Sequence, residues 1–307
     1  MQKVAVTGAM GFIGFHLCER LLNEGIEVIG MDARMGLQNE HIFHEKYMLI
    51  GRNANFTLYT EPMEQLPLYD LLKDVGVVFH LAATTIADAK WDNLQETIEN
   101  NVYLTKKILR SCQEKTKFIF TSTVEVYGER TGIITERTPT NPTTPYGLTK
   151  LAGEALILRE KEQCKLKVTI FRLPTIYGPW QREDMVFHQL LLAKILQKKA
   201  NVGKDRSTLD ILYVEDVVEA LLLAGKANFE YEIFNLSSGK ERQWYLATSY
   251  LLGKKDAGWS NELLKVTVSG DKAKKLLQFE PKVFFKDGLK KQEEHLRKYL
   301  HLYASRP

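Results

Sequence analysis

The chain has 307 residues, 44% of them hydrophobic and 26% charged, with a formal net charge of +4. The length suits one sizeable domain with a smaller appended lobe, and the composition is that of an ordinary soluble globular protein. Three scattered cysteines (Cys18, Cys112 and Cys164), no Cys-x-x-Cys and no histidine cluster argue against a disulfide framework and against a metal site.

Val4–Val6 is a short apolar run of strand character that leads straight into Gly8, Gly11 and Gly14, with Phe12 and Ile13 inside the glycine spacing. A helical pattern follows through Leu17, Leu21 and Leu22. Such a strand, turn and helix form a dinucleotide cradle. Gly8 permits the tight turn, Gly11 lets the backbone approach a pyrophosphate, and Gly14 lets the helix lie close on the sheet. Free amides at the helix start face the phosphate charge. Eighteen residues past Gly14, the run from Ile26 to Met31 ends at Asp32. A carboxylate there accepts hydrogen bonds from an adenosine ribose and repels a 2′-phosphate, which predicts NAD rather than NADP.

Further along, Val75–Leu81, Lys117–Phe120 and Lys167–Phe171 are strand-length apolar runs separated by helical patterns such as Ile98, Val102, Thr105, Ile108, Leu109 and Cys112. Unalternated strands between helices predict an α/β fold, a doubly wound parallel sheet covered on both faces. Ligands then bind beyond the carboxyl ends of the strands. Ala82 and Ala83 follow the first of these strands, Thr121–Gly128 the second and Arg172–Pro179 the third, so all three segments line one sheet edge.

Tyr146 and Lys150 stand four apart on a helix that Pro145 opens and Thr143 or Thr144 caps, so they share a face. An ammonium near a phenol lowers its pKa and makes tyrosinate accessible as a base. The same Tyr-x-x-x-Lys spacing occurs at Tyr69/Lys73, Tyr103/Lys107 and Tyr250/Lys254, but none has a preceding proline or follows a strand-end Ser/Thr cluster. Context selects Tyr146, 23 residues beyond Thr123.

Thr-Gly-x-x-Gly-Phe-Ile-Gly at 7–14, Asp32, His-Leu-Ala-Ala at 80–83, Asn101, Thr123, Tyr-x-x-x-Lys at 146–150 and Tyr-Gly-Pro at 177–179 occur in that order. Together they resemble the extended short-chain dehydrogenase/reductases, specifically the NAD-dependent epimerase/dehydratase family. Residues 178–187 look like the Gly-Pro-Arg-Gln-Arg-Pro-Asp-Met-Ala-Phe segment of bacterial UDP-glucose and UDP-glucuronate 4-epimerases. The resemblance implies a Rossmann domain over 1–174, with 208–236 returning to it, and a substrate-binding lobe from 175–207 and 237–307. It implies Tyr146 as base, Thr123 on the reacting sugar hydroxyl and Lys150 on the nicotinamide ribose. Leu81, Ala82, Ala83 and Pro174 then join the glycine loop on the cofactor side, and Thr84, Thr175 and Arg182 join Thr123 on the substrate side. Where the family carries Arg-Asp-Phe, this chain has Leu209-Asp210-Ile211, with Arg206 upstream as a substitute for the arginine. Pro62 stands where an adenine-contacting Asp is common.

Glu125 points another way. Sugar 4,6-dehydratases resemble Thr-Asp-Glu at these positions, whereas this chain has Thr123-Val124-Glu125, a base without the acid that would expel the leaving group. The preferred expectation is an NAD-dependent nucleotide-sugar epimerase that oxidises transiently to a 4-keto sugar. The alternatives are a dehydratase or decarboxylase using Glu125 and, in a different class, an NAD-sensing regulator, although regulators typically lose the Tyr-Lys pair. No nucleic acid is expected, because Lys272, Lys274, Lys275, Lys290 and Lys291 alternate with apolar positions as on a solvated helix face. No apolar run approaches a membrane span, and cleavage of a signal peptide would remove the strand at Val4, so a cytoplasmic protein is expected. Two helices near 94–113 and 145–162 carry too many apolar positions for one buried face, which predicts a homodimer.

Overall fold

A computed structural model of the chain describes residues 1–33, 40–84, 91, 94–199, 210–253 and 266–303. Its strands are β1 Lys3–Thr7, β2 Glu27–Met31, β3 Phe56–Tyr59, β4 Val77–His80, β5 Lys117–Thr123, β6 Gly132–Ile134, β7 Lys167–Leu173, β8 Thr175–Tyr177, β9 Ile211–Tyr213, β10 Tyr231–Asn235 and β11 Val266–Val268. Seven of these form one sheet in the order β10-β7-β5-β4-β1-β2-β3, and every pairing in it is parallel. The order reverses between β1 and β4, which is where ligands bind in such sheets. Two small sheets, β8 with β9 and β6 with β11, lie outside it.

The helices are α1 Phe12–Asn23, α2 Glu40–Ile50, α3 Leu68–Leu72, α4 Leu94–Ile98, α5 Leu104–Ser111, α6 Pro145–Cys164, α7 Val186–Ile195, α8 Val214–Lys226, α9 Gln243–Leu252, α10 Asp271–Leu277, α11 Phe285–Lys298 and α12 Leu300–Tyr303. The period-two geometry of a strand divides the core between the two faces of the sheet. Val4 and Val6 pack on one side with Leu17 and Leu21 of α1 and Leu221 of α8, while Ala5 packs on the other. Phe118 and Phe120 of β5 join Ile108 and Leu109 of α5 on that second side. Each fully buried Leu or Phe contributes about 1.5–3 kcal/mol, so both faces are firmly covered. The doubly wound sheet expected from the unalternated strands is what forms.

The helix expected near 94–113 is instead α4 and α5 joined by a π-helical turn, Glu99–Tyr103. The wider turn serves Asn101, whose buried side chain is aimed at residue 84 rather than along the helix. Among the described residues, no helix is long and apolar enough to cross a membrane. Cys18 and Cys112 are buried free thiols and Cys164 is half-buried, as their apolar surroundings predict.

Candidate active site

The site grows from the end of β1. Gly8 has φ +70, a conformation that favours glycine, and a Cβ there would lie 2.9 Å from the amide nitrogen of Ala82 beyond β4. A Cβ on Gly14 would lie 1.9 Å from the Gly8 carbonyl oxygen, so the third glycine lets α1 close on the turn itself. No side chain caps α1 at Gly11, and no acidic residue occupies its first turn. Its amides therefore present an anion site that the protein itself does not fill. Phe12 and Ile13 open the helix, half-buried.

Asp32 follows β2 directly, and its Oδ2 accepts the Met10 amide at 2.8 Å. Burial raises its pKa, opposed by the Met10 and Gly11 amides and by Lys46. The carboxylate thus stands beside the glycine loop with hydrogen-bonding capacity remaining.

Beyond β4, the half-buried run Leu81, Ala82, Ala83 and Thr84 is fixed by a hydrogen-bonded chain whose protons can be assigned. Thr105 donates to the Asn101 carbonyl at 2.7 Å, so its oxygen accepts from His80 Nε2 at 2.8 Å. His80 Nδ1 then accepts from Thr7 at 2.7 Å, and the Thr7 oxygen accepts the Ala82 amide at 3.1 Å. Burial pulls the His80 pKa down to about 3, consistent with the neutral tautomer this chain requires. Asn101 accepts the Thr84 amide at 2.8 Å and donates to the Thr84 carbonyl and to Thr149 of α6, each at 3.1 Å. Residues 81–84 are held from both ends.

Thr123 closes β5, buried, and its hydroxyl accepts the Glu125 amide at 3.2 Å to cap the 3-10 turn Val124–Tyr127. Helix α6 begins as expected, with Pro145 in its first turn and Thr144, rather than Thr143, as cap, accepting the Gly147 amide at 3.0 Å. Tyr146 and Lys150 share a face. The Lys150 ammonium, 2% exposed, lies 5.9 Å from the Tyr146 ring centroid and 4.5 Å from that of Phe120. Burial draws the Lys150 pKa down to about 7, against the pull of the Glu154 carboxylate.

Burial first, and then the Glu125 charge, push the Tyr146 phenol above its ordinary range, and the charge that opposes them is Arg182 rather than Lys150. The lysine ammonium stands over the Phe120 ring, and burial lowers its own pKa.

Pro174 is buried at the end of β7, and Thr175 begins β8 beside it. Arg182 is half exposed, its Nε donating to Asp184 Oδ1 at 2.9 Å, and its charge reaches Tyr146. Glu125 is not a free solvated carboxylate, because its Oε2 accepts the Thr144 hydroxyl at 2.7 Å. Gly8, Leu81–Thr84, Thr123 and Pro174 thus lie at the carboxyl ends of β1, β4, β5 and β7, and Tyr146 and Lys150 face the same edge. Arg206 and Leu209 lie outside the described residues. Asp210 is engaged, accepting the amides of Ile211 at 2.8 Å and Ser238 at 2.9 Å.

Three participants escape a linear reading. Lys46 of α2 is buried under the glycine loop, while Glu154 and Arg172 form a buried ion pair behind Lys150. The one available signal was Glu154 at four residues past Lys150, on the same helix face.

A model of the NAD dependent epimerase/dehydratase family matches residues 4–237. A Bacillus subtilis (strain 168) protein described as the uncharacterized UDP-glucose epimerase YtcB is 33% identical, over 96% of this chain and 98% of its own. The human dTDP-D-glucose 4,6-dehydratase is 29% identical over 98% and 91%. Among solved structures, the UDP-glucuronic acid 4-epimerase of Bacillus cereus with UDP-glucuronic acid and NAD superposes with a TM-score of 0.84. It is 31% identical, covering 96% of this chain and 99% of that one.

Proposed function

The chain belongs to the NAD-dependent epimerase/dehydratase family, and from that premise we propose that it is a nucleotide-sugar 4-epimerase working by transient oxidation. What supports this is the pairing of Tyr146 with Lys150 at the start of α6, over Phe120 of the strand that Thr123 ends, with the Arg182 charge acting on the phenol. NAD fits the cofactor half: an uncapped helix start, a turn in which added Cβ atoms would collide, and Asp32 at the end of β2. Gly8, Gly11, Phe12, Ile13 and Gly14 would hold its pyrophosphate, Asp32 its adenosine ribose, and Leu81, Ala82, Ala83 and Pro174 its remaining length.

NAD supplies a hydride acceptor when bound. The protein's own part is proton transfer and positioning. Tyr146 takes the proton from the sugar hydroxyl, Thr123 holds that hydroxyl, and Lys150 orients the nicotinamide ribose and lends positive charge to the phenolate. Arg182, with Thr84 and Thr175, faces the sugar. The half-buried phenol is held above its ordinary pKa range, so its deprotonation calls on the positive charge of Arg182. The relatives with bound UDP-sugars support a nucleotide sugar as substrate.

Elimination by a dehydratase remains the competing assignment, favoured by the reach of the Glu125 charge to Tyr146. Val124, buried to 2% exposure, stands next to it where an acid would be needed. A panel of UDP-, dTDP-, CDP- and GDP-sugars incubated in deuterated water and read by NMR separates the two. Inversion at C4 without deuterium at C5 is the expected result. Deuterium at C5 with loss of water or of a carboxyl group would replace epimerisation by elimination.

The proposed organisation is a cofactor domain over 1–174 and 208–236 with a substrate lobe over 175–207 and 237–307. It draws support from β10 joining the large sheet and from α7, α9 and α11 packing together. The pairing of β8 with β9 joins the two.

A further inference from the structure

The glycine loop is gripped from behind by a charge that the proposed chemistry does not use. Lys46 of α2 is 5% exposed, and its ammonium donates to the Met10 carbonyl at 2.9 Å and the Gly11 carbonyl at 3.3 Å. It lies 5.8 Å from the ring centroids of both Phe15 and Trp180, within cation–π range. Its charge also acts on the Asp32 carboxylate, which in turn accepts the Met10 amide. One ammonium therefore holds the glycine loop at Met10 and Gly11 and balances the Asp32 carboxylate.

Burying an ammonium costs several kcal/mol unless its partners compensate. A methionine or leucine would staple α2 to α1 without that cost. What a cation adds is direction. Within a planar trans peptide, C=O and N–H point opposite ways. Holding the Gly11 carbonyl toward α2 turns the Phe12 amide away from α2, at the uncapped start of α1. The same carbonyl accepts the Phe15 amide at 3.2 Å, so two donors fix the orientation of that peptide plane.

We infer that Lys46 is a positioning residue for the dinucleotide, clamping the loop carbonyls so that the loop amides face the pyrophosphate and keeping Asp32 charge-balanced. The inference rests on the assignment of this loop to NAD. Three ionisable groups face Lys46: Asp32 after β2, His16 on α1 and His295 on α11. Burial brings the Lys46 pKa down to about 8, while His16 and His295 are held near 4 and 3. Burial lowers the pKa of Lys46 and, separately, that of Lys150 on the catalytic side.

The test is NAD binding by calorimetry to the cofactor-free full chain, across pH 6.5–9.5, for the parent, Lys46→Met and Lys46→Arg. Lys46→Met should lose at least tenfold in affinity, while Lys46→Arg stays within about threefold of the parent. The parent should weaken as pH rises through about 8, a step that Lys46→Arg lacks because arginine keeps its charge. A merely structural lysine would leave that profile unchanged in Lys46→Arg. Should Lys46→Met fail to fold, Lys46→Gln takes its place in the affinity comparison. A parent that binds NAD, with the neutral Lys46 variant within twofold of it, overturns the role of Lys46 while sparing the loop assignment. A parent that binds no NAD overturns both.

Discussion

Thr144 donates its hydroxyl hydrogen to Glu125 Oε2 at 2.7 Å while its oxygen accepts the Gly147 amide at 3.0 Å. One hydroxyl thus ties the carboxylate beyond β5 to the start of the helix that carries Tyr146 and Lys150.

Replacing the two partners should separate their duties. Thr144→Ala removes a helix cap and should cost about 1 kcal/mol in denaturant unfolding. Glu125→Gln keeps an acceptor for the hydroxyl, so stability should barely change and C4 inversion should stay within about tenfold. Glu125→Gln that abolishes turnover while Thr144→Ala leaves it intact would mark Glu125 as the base of an elimination.

Tyr146→Phe tests whether the site is an enzyme at all. Turnover should fall by about 10² to 10⁴, the usual worth of a positioned acid–base group, with NAD affinity nearly unchanged. Tyr103 has the same spacing to Lys107 but is 63% exposed. Tyr103→Phe should leave turnover alone, and the opposite pattern in steady-state kinetics would discard the assignment.

Tyr103, Leu148 and Leu158 remain exposed on the helical segments 99–103 and 145–164. Covering these side chains in a second copy would remove apolar surface from water, worth roughly 25 cal/mol per Å². A homodimer is therefore expected by sedimentation, with Leu158→Glu shifting it to monomer. A parent that stays monomeric at all concentrations refutes the pairing.

Four histidines, His80 and His188 buried and His16 and His295 half-buried, resist protonation in the folded chain. Burial lowers His16 and His188 to about 4 and His80 and His295 to about 3, below the unfolded value near 6.5. Between those values the unfolded chain binds more protons than the folded one, so stability falls as pH falls. Each histidine contributes up to about 1.4 kcal/mol per pH unit. Their contribution is fully present above pH 6.5 and is lost progressively toward pH 4. Thermal melts from pH 7.5 to 4.5 should show the midpoint dropping steeply below 6.5, and a flat profile would contradict it.

The cofactor loop is legible in sequence because its constraints are local: Gly8 needs a positive φ, Gly14 must clear the Gly8 carbonyl, and Asp32 ends the next strand. Tyr146 and Lys150 are legible because one helix turn separates them. Lys46 meets Met10 across 36 residues, and Arg172 meets Glu154 across 18 and from a different element. No periodicity announces such pairs, and a buried lysine or arginine looks like a surface one until the fold closes over it. The π turn at Asn101 is hidden for the same reason, since its partner is Thr84 rather than a helix neighbour. The lowered pKa of Lys150 follows from its burial, a packing fact that the Tyr-x-x-x-Lys spacing does not carry.

The Arg172–Glu154 pair offers the sharpest separation of stability from chemistry. Both side chains are 5% exposed, joined by Nη2 to Oε2 at 2.6 Å and Nε to Oε1 at 3.1 Å. Ser122 donates to the same carboxylate at 2.5 Å, and Arg172 donates to the Tyr127 oxygen at 2.8 Å. Arg172→Met would leave Glu154 buried and uncompensated, at a cost of about 3–5 kcal/mol. Glu154→Leu combined with Arg172→Met removes both charges and should recover much of that loss, because a buried pair is often replaceable by apolar side chains. Chemistry should not recover. The Glu154 carboxylate holds the Lys150 pKa up, so its loss lets burial push that pKa further below about 7. The doubly substituted protein should then lose turnover at pH 7–8 relative to the parent and regain part of it at lower pH, read from the pH dependence of kcat. A double variant with parent-like stability and a parent-like pH profile would show that Glu154 serves the fold alone.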